Sequence, residues 1–239
     1  MKTTVLIPAL NEEAALPRVL AALPRADLHE IVVVDNGSTD GTARVAREGG
    51  ARVVEELRRG YGRACLTGLA AIAAAEGGPP ELVVFVDADY SDHPDELPLV
   101  TAPILAGRAD LVIGSRVLGR RETGALLPQA RFGNWLATRL MRLTTGVRFT
   151  DLGPFRALTW HALQEIGMRD QGFGWTVEMQ MKAAQAGLRC VEVPVSYRKR
   201  IGKSKITGTL SGTVKAGAKI LATIGWLLLA GGRARQQRP

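Results

Sequence analysis

Two aspartates separated by a single alanine, Asp87 and Asp89, follow the apolar run Leu82–Val86. An apolar run of this length is typical of a buried β-strand, which would present both carboxylates at one edge of a sheet. Paired hard oxygen ligands suit Mg²⁺ or Mn²⁺, ions that keep several waters and bridge to substrate phosphates. The pair therefore predicts a divalent metal site with a diphosphate as its partner. Ordinary turn or N-cap acids are the alternative interpretation.

A third carboxylate, Asp35, ends another apolar run and is followed by Asn36 and a Gly- and Ser-rich turn. Much of that turn is what any connection from a strand to a helix would use. Asp35 is different, because a carboxylate at the very end of a strand is well placed to accept N–H donors of a nucleobase. The helix predicted to begin near Gly41 adds its positive dipole end. This segment therefore predicts a nucleotide-binding edge.

The elements that must position these carboxylates alternate between apolar runs of strand length and segments of helical period. The predicted strands are Thr4–Pro8, Ile31–Asp35, Arg52–Glu55, Leu82–Asp87 and Leu111–Ser115, and the predicted helices lie near Ala14–Leu23, Thr42–Glu48, Arg63–Ala75 and Asp95–Ala106. This alternation predicts an α/β fold with a mostly parallel central sheet and flanking helices. Ligands of such sheets bind at the carboxyl ends of the strands, so the polar groups should meet there.

The pattern loosens after Ser115. Residues 116–131 are rich in Gly and Arg and have no clear period, which predicts a mobile loop. The remaining predicted elements are a helix from Phe132 to about Thr144, a short segment Asp151–Arg156, a helix near Thr176–Ala186 and a strand Arg189–Val193.

Composition narrows the class of protein. The chain has 239 residues, 46 % of them hydrophobic, enough for one substantial core. Cys65 and Cys190 are far apart and form no CxxC pair, which argues against a disulfide framework or a zinc site. The N-terminus has neither a long apolar segment nor a small-residue cleavage site, so we expect no signal peptide and a cytoplasmic protein.

The net charge of +8 is unevenly distributed. Residues 198–239 contain ten of the 31 basic residues and none of the 23 acidic ones, so the rest of the chain is slightly acidic. Aromatic residues make up only 5 % of the chain. A basic face with aromatics within the folded body is what nucleic-acid binding would require, so we expect no nucleic-acid partner.

Six short motifs occur in order along the chain. They are Ile7–Glu13, Val33–Thr42, Gly60–Ala64, Asp87–Asp89, Gly114–Arg116 and Gly202–Lys205. Their order resembles family 2 glycosyltransferases of the dolichyl-phosphate mannosyltransferase type, over about residues 3–207. The resemblance implies a GT-A fold, which is Rossmann-like, a nucleotide-sugar donor and inversion at the anomeric carbon. We expect a GT-A domain over residues 1–206, followed by a basic amphipathic helix and tail over 207–239.

The resemblance also assigns residues. Asp87 and Asp89 would hold the metal and the diphosphate. The residues implied to contact the nucleotide-sugar are Pro8, Leu10, Glu12, Asp35, Asn36, Gly62, Asp87, Ala88, Asp89 and Arg198. The arginine that precedes the Gly-x-Ser-Lys motif could be Arg198 or Arg200, and Ser91 or Asp92 could add a metal contact. Both choices are open from the sequence.

The acceptor decides which other groups the reaction needs. A lipid phosphate is already ionised and needs positioning instead of a base, and the candidates for that work are Arg116, Arg131, Arg198 and Arg200. A hydroxyl acceptor would need a carboxylate base, for which Asp151 is the first candidate. We expect an inverting transfer of a hexose from GDP-mannose or UDP-glucose to a polyprenyl or dolichyl phosphate. The alternatives are a transferase acting on a soluble hydroxyl acceptor and a non-catalytic nucleotide-sugar-binding module that docks on membranes.

The C-terminal segment predicts peripheral contact with the inner face of the membrane. On a helix, one stripe collects Leu210, Val214, Leu221, Ile224 and Leu228, while Lys215 and Lys219 lie nearly opposite. The apolar part, Ile220–Ala230, is too short to span a bilayer, and the clusters Arg198–Lys205 and Arg233–Arg238 would attract anionic lipid. The alternative is that the stripe packs on the protein's own body or on a second subunit. The sequence does not predict the oligomeric state.

Overall fold

The computed structural model describes residues 1–202 and 217–227. Within these residues, one sheet of seven strands forms the centre of the fold. The strands are β1 (Thr3–Ala9), β2 (Glu30–Asp35), β3 (Arg52–Glu55), β4 (Leu82–Phe85), β5 (Leu111–Ser115), β6 (Arg156–Thr159) and β7 (Cys190–Pro194). Their order across the sheet is β3-β2-β1-β4-β6-β5-β7.

The sheet is mostly parallel, as the alternating pattern predicts. β1 pairs in parallel with β2 and β4, β2 with β3, and β5 with β7. The exception is β6, which runs antiparallel to both β4 and β5. The register sets Ala9 opposite Asp35 and Leu6 opposite Phe85, so β1, β2 and β4 end at the same edge. The polar groups that follow these strands are therefore neighbours.

Seven α-helices flank the sheet within residues 1–202. They are α1 (Leu16–Ala22), α2 (Thr42–Glu48), α3 (Tyr61–Ala73), α4 (Leu97–Leu105), α5 (Pro128–Thr145), α6 (Trp160–Ile166) and α7 (Trp175–Gln185). Residues 217–227 are also helical. α5 begins four residues before the predicted start at Phe132, with Pro128 at its first position, where the missing N–H costs nothing. Arg131 therefore lies in a helix, and the prediction of a loop through that residue was wrong.

Both faces of the sheet are buried, because alternate strand residues point to opposite sides. Val5 and Ile7 of β1 pack in one cluster with residues of α1, α2 and α4, whereas Leu6 packs in a second cluster with residues of α3, α5 and α7. Each such side chain contributes about 1.5–3 kcal/mol on full burial. Burial on both faces explains why β1, β4 and β5 read as mostly apolar runs, whereas the half-buried edge strands β3 and β7 include charged residues.

The described part of the C-terminal segment packs on the second cluster. Ile224 and Leu227 are buried there, and Lys219 Nζ forms an ion pair with Asp170 Oδ2 at 2.9 Å. Leu221 is exposed. Packing on the protein's own body, the alternative interpretation of the stripe, therefore holds for Ile224. None of the helices in the described parts of the chain is long and apolar enough to cross a bilayer.

Other predictions for this segment lie outside the described residues. They concern Leu210, Val214, Lys215, Leu228, the lysines of Gly202–Lys205 and the cluster Arg233–Arg238. The domain boundary at residue 206 is also outside them and stays a prediction.

Candidate active site

A cleft of about 480 Å³ opens at the carboxyl edge of β1, β2 and β4. It brings together eight of the residues predicted to act at the site. They are Pro8, Leu10, Glu12, Asn36, Asp87, Ala88, Asp89 and Arg200. Asp35 does not line the cleft, and its Oδ1 accepts a hydrogen bond from the Ser38 amide at 3.1 Å, within the turn that follows β2. The cleft is therefore the meeting point that the strand ends predict.

Asn36 uses its side chain to hold one wall of the cleft. Its Nδ2 donates to the carbonyl oxygens of Glu56 and Arg58 at 2.9 and 2.8 Å, and its Oδ1 accepts from the Gly60 amide at 2.8 Å. Sequence reasoning did not assign the neighbouring Tyr61 a role, although it lies within one of the six motifs. These bonds fix the loop before α3, which brings Tyr61 into the cleft.

Gly62 permits a close approach between two segments instead of lining the cleft. Its amide donates to the Gly172 carbonyl at 3.1 Å, and a Cβ at this position would collide with the carbonyl oxygen of Asp170. Gly60 has φ +149° and is equally crowded by the carbonyl oxygen of Gln171. The two glycines let the N-terminus of α3 pack against residues 170–173, and Phe173 from that loop reaches the cleft. No motif in the sequence marks Phe173.

The two aspartates of the predicted metal pair have different partners. Tyr61 Oη donates to Asp87 Oδ1 at 3.0 Å. Burial raises the pKa of Asp87 from its usual 3.8 to about 7, and the negative charge of the nearby Asp89 is the second cause. Asp89 Oδ1 accepts from the amide and hydroxyl of Ser91, and Oδ2 forms an ion pair with Arg200 Nη1 at 3.1 Å. Ser91 thus orients Asp89.

Arg198 and Arg200 point to different places. Arg200 joins Asp89 to Glu12, whose Oε1 accepts from Nη2 at 3.0 Å, and it lines the cleft. Arg198 instead stacks on Tyr90, with its guanidinium carbon 3.6 Å from the ring centroid, and donates to the Asp92 carbonyl at 2.9 Å. The structure therefore directs Arg200, and not Arg198, into the cleft.

Asp92 is a buried acid close to this site. Within residues 1–202 and 217–227, no hydrogen-bond donor reaches either of its carboxylate oxygens. Burial raises the pKa of Asp92 well above its usual range, and the negative charges of Asp87 and Asp89 add to this shift. This environment favours the neutral form of Asp92.

The arrangement of acids fits Mg²⁺ or Mn²⁺ held partly by substrate. In the portions of the chain that the structure describes, no group of three or more His, Cys, Asp or Glu side chains is arranged to enclose an ion. Asp87 and Asp89 supply two carboxylates at the cleft, and such ions commonly take their other ligands from water and substrate phosphates. The chemistry of the donor set is thus compatible with a metal and diphosphate pair.

A second chamber of about 260 Å³ adjoins the cleft and shares Tyr61, Asp87 and Phe173 with it. Its other walls are mostly apolar. They include Leu126, Ala130 and Gly133 at α5, Leu152 and Pro154 before β6, Trp175 of α7, and Gly217 and Ile220 of the helix 217–227. Arg116 supplies the positive charge among its lining residues, and Asp87 supplies the carboxylate. An apolar chamber therefore meets the donor cleft at Asp87.

Arg116 and Asp151 form a buried ion pair beside this chamber. Asp151 is fully buried, and the Arg116 amide adds a third hydrogen bond to its carboxylate at 2.8 Å. Although burial opposes charge, the Asp151 carboxylate raises the pKa of Arg116 above its usual range. The Arg116 guanidinium also lies 5.0 Å from the Tyr197 ring centroid. Asp151 is thus committed to Arg116, whereas the predicted Arg131 is exposed on α5 and lines neither chamber.

Arg156 supports the wall of the second chamber, and sequence reasoning assigned it no role. It is fully buried, and its guanidinium donates to the carbonyl oxygens of Gly153, Leu152 and Thr176. Burial lowers its pKa to about 10. Through these carbonyls Arg156 holds the segment before β6 that forms one wall of the second chamber.

The family model for glycosyl transferase family 2 matches residues 4–167, more than half of the chain. The chain belongs to glycosyltransferase family 2. The matched region includes the cleft residues up to Asp89 and the Arg116–Asp151 pair. α7, β7 and Arg200 lie beyond it.

Relatives that match over most of their length support the same assignment for this glycosyltransferase. An uncharacterized glycosyltransferase of Mycobacterium tuberculosis is 40 % identical over 215 residues, which cover 89 % of this chain and 93 % of the relative. An undecaprenyl-phosphate mannosyltransferase of Micrococcus luteus is 31 % identical over 236 residues, covering 89 % of this chain and 90 % of the relative. The resemblance found in the six motifs is thereby confirmed.

A solved structure supports the fold. The crystal structure of glucosyl-3-phosphoglycerate synthase from Mycobacterium tuberculosis, in complex with Mn²⁺, UDP-glucose and phosphoglyceric acid, is similar with a TM-score of 0.75. It is 26 % identical, and the match covers 97 % of this chain and 80 % of that chain. The GT-A fold predicted for this glycosyltransferase is confirmed.

Proposed function

We propose that this glycosyltransferase moves a hexose from GDP-mannose or UDP-glucose to the phosphate of a polyprenyl or dolichyl lipid, with inversion at the anomeric carbon. The observation that carries the proposal is that neither carboxylate at the second chamber is available as a base. Among its described lining residues, Asp87 is the one carboxylate and would be occupied by the metal, and the neighbouring Asp151 is bound to Arg116. The undescribed residues 203–216 and 228–239 contain no Asp or Glu. A phosphate acceptor fits this chamber because it is already ionised and needs no base.

On the donor side, Asp87 and Asp89 would hold Mg²⁺ or Mn²⁺ together with the diphosphate. When bound, the ion offsets the negative charge that develops on the leaving diphosphate. Arg200 is suited to bind a phosphate oxygen, because its guanidinium already lies beside Asp89 at the cleft. The similar synthase crystallised with Mn²⁺ and UDP-glucose supports this assignment.

On the acceptor side, Arg116 would position the lipid phosphate. Its Nε and Nη2 bond to Asp151, which fixes the direction of the guanidinium toward the chamber. An acceptor phosphate oxygen forms a bond to the anomeric carbon on the face opposite the diphosphate. The bond from that carbon to the diphosphate oxygen breaks, and its electron pair leaves with the nucleoside diphosphate. No proton is transferred in this step.

A lipid acceptor requires the enzyme to work at a membrane surface. The ten basic residues and absent acids of 198–239 support peripheral contact with an anionic cytoplasmic face. The undecaprenyl-phosphate mannosyltransferase of Micrococcus luteus, a relative over nearly the whole chain, supports the same acceptor class.

A soluble acceptor is the second candidate, favoured by the similar structure that holds phosphoglyceric acid. In that case a carboxylate, first of all Asp151, would have to leave its partner and accept the proton of a hydroxyl group. The three bonds from Arg116 to Asp151 make this the weaker candidate.

A panel of donors and acceptors tests the proposal. GDP-mannose and UDP-glucose are each incubated with Mn²⁺ and a short-chain polyprenyl phosphate, the corresponding polyprenol, or phosphoglyceric acid, and products are identified by mass. We expect a glycosylated polyprenyl phosphate and no product from the polyprenol, which differs only in lacking the phosphate. Product from phosphoglyceric acid alone would establish the soluble acceptor. Donor binding without transfer or hydrolysis would instead establish a non-catalytic module.

A further inference from the structure

The outer face of α5 carries an apolar stripe that nothing in the described chain covers. Phe132, Trp135 and Leu143 are 63 %, 54 % and 75 % exposed, although the opposite face of the same helix is buried. The rings of Phe132 and Trp135 lie against each other, with centroids 5.9 Å apart. On a helix, these three side chains fall within an arc of about 80°. A soluble helix normally turns its polar face outward, so this stripe calls for a partner.

Basic residues accompany the stripe. Arg131, Arg139 and Arg142 are exposed on α5, and the helix contains no acidic residue. Long arginine side chains can lay their stems along apolar surface while the charged ends stay in water. Aromatic rings bordered by cations are the composition that helices lying in a membrane interface show.

The stripe borders the second chamber. Gln129, Ala130 and Gly133, on the flank of α5, line that chamber, and Ile220 lines it from the helix 217–227. That second helix exposes Leu221 and Trp226. Two helices that share the chamber wall thus expose apolar side chains.

We propose that the outer face of α5 docks on a bilayer containing anionic lipid, beside the chamber where the acceptor phosphate enters. The role of the docking, which is to bring the enzyme to a lipid acceptor, rests on the proposed function. The docking itself needs no acceptor. A second copy of this chain is a poor partner for this face. A two-fold contact would bring the three arginines of each copy together, and α5 has no acidic residue to neutralise their charge. Anionic lipid head groups would neutralise the charge of the arginines, and the membrane interface would accommodate the rings of Phe132 and Trp135.

The test is flotation of the full chain with vesicles made of equal parts phosphatidylglycerol and phosphatidylcholine and containing no acceptor. We compare the wild type with F132S/W135S, whose side chains are exposed and line neither chamber. The control is L99S/L105S, which removes two exposed leucines from α4, a helix in the other core cluster. We expect F132S/W135S to lower the partition coefficient about tenfold or more and the control to leave it unchanged. R139Q/R142Q should weaken the preference for phosphatidylglycerol over pure phosphatidylcholine.

Equal binding by the wild type and F132S/W135S, or no binding by the wild type at low salt, would overturn the proposal. A change of mass in light scattering for F132S/W135S would also overturn it, because the stripe would then be a subunit contact. Brominated lipid provides an independent measurement, since its quenching of tryptophan fluorescence should fall in W135F. Transfer to a soluble short-chain polyprenyl phosphate without vesicles should be the same in F132S/W135S and wild type. If the wild type gives no such transfer but binds vesicles, the proposed function fails and the docking surface stands.

Discussion

Arg116 and Asp151 are joined by two parallel hydrogen bonds, from Nε to Oδ2 and from Nη2 to Oδ1, each 2.8 Å long. This bidentate geometry fixes both the position and the plane of the guanidinium. The backbone of Asp151 is also fixed, because its amide donates to Glu192 Oε1 at 3.0 Å. The pair makes Asp151 a positioning residue for Arg116 in the proposed reaction.

Replacing Asp151 by Asn tests this role. The variant should raise the KM for the lipid phosphate about tenfold or more, because Arg116 loses its orientation, and should leave the KM for the donor nearly unchanged. It should also destabilise the protein by about 3–5 kcal/mol, since a buried arginine loses its counter-ion. D110N is the matched control, because Asp110 forms the same bidentate pair with an exposed Arg189 and should cost much less. A severe loss of kcat together with loss of the acidic limb of the pH profile, at unchanged acceptor KM, would instead identify Asp151 as the base.

The metal assignment predicts that Asp89→Asn weakens Mn²⁺ binding and transfer together. Loss of one carboxylate from the pair removes a hard oxygen ligand, and we expect at least about a hundredfold loss of kcat/KM. Asp95→Asn is the control, because Asp95 is an exposed acid in the same segment and does not line the cleft. Calorimetry with Mn²⁺ and UDP or GDP gives the affinity without turnover. Full wild-type activity in excess EDTA would exclude the metal.

The acidity of Asp87 predicts how stability depends on pH. Its folded pKa of about 7 exceeds the usual 3.8, so between these values the folded protein holds a proton that the unfolded chain has released. The contribution of Asp87 to stability is therefore largest at low pH and falls as pH rises toward 7, by up to about 1.4 kcal/mol per pH unit. Urea unfolding of the metal-free protein at pH 5, 6, 7 and 8, compared with Asp87→Asn, isolates this effect. Parallel curves for the two proteins would contradict it.

The neighbouring arginines predict opposite outcomes for the same substitution. Arg200→Gln should raise the KM for the donor about tenfold or more, because the cleft loses the cation next to Asp89 and Glu12. Arg198→Gln should leave donor binding nearly unchanged and lower the melting temperature, because it removes the stacking on Tyr90. Donor KM and thermal unfolding, measured on both variants, check the assignment. A larger donor effect from Arg198→Gln would reverse it.

The local sequence pattern was sufficient to predict much of this fold. The strands β3 and β5 have the predicted limits. β5 is buried along its whole length, and a strand buried on both faces reads as an apolar run. The positions of Asp87 and Asp89 directly after a strand were enough to bring them to the ligand edge, since the carboxyl ends of parallel strands meet there. Six motifs in order were enough to indicate the family.

The antiparallel strand β6 and the helix α6 escaped prediction. β6 has four residues and begins with Arg156, whose burial depends on three carbonyl oxygens that no sequence pattern marks. Its place between β4 and β5 is a matter of long-range pairing, which local periodicity does not encode.

The choice between Arg198 and Arg200 also required the tertiary structure. The two arginines are two residues apart in the same basic stretch. What distinguishes them is Glu12, which is 188 residues away from Arg200 along the chain and 3.0 Å away in space. The sequence likewise offered Asp151 as a base, and only packing revealed that Arg116 occupies its carboxylate. Sequence determined which chemical groups reach the edge of the sheet, because strand ends are set by local burial. Tertiary packing decided which of those groups are free to act, because each partner comes from a distant part of the chain.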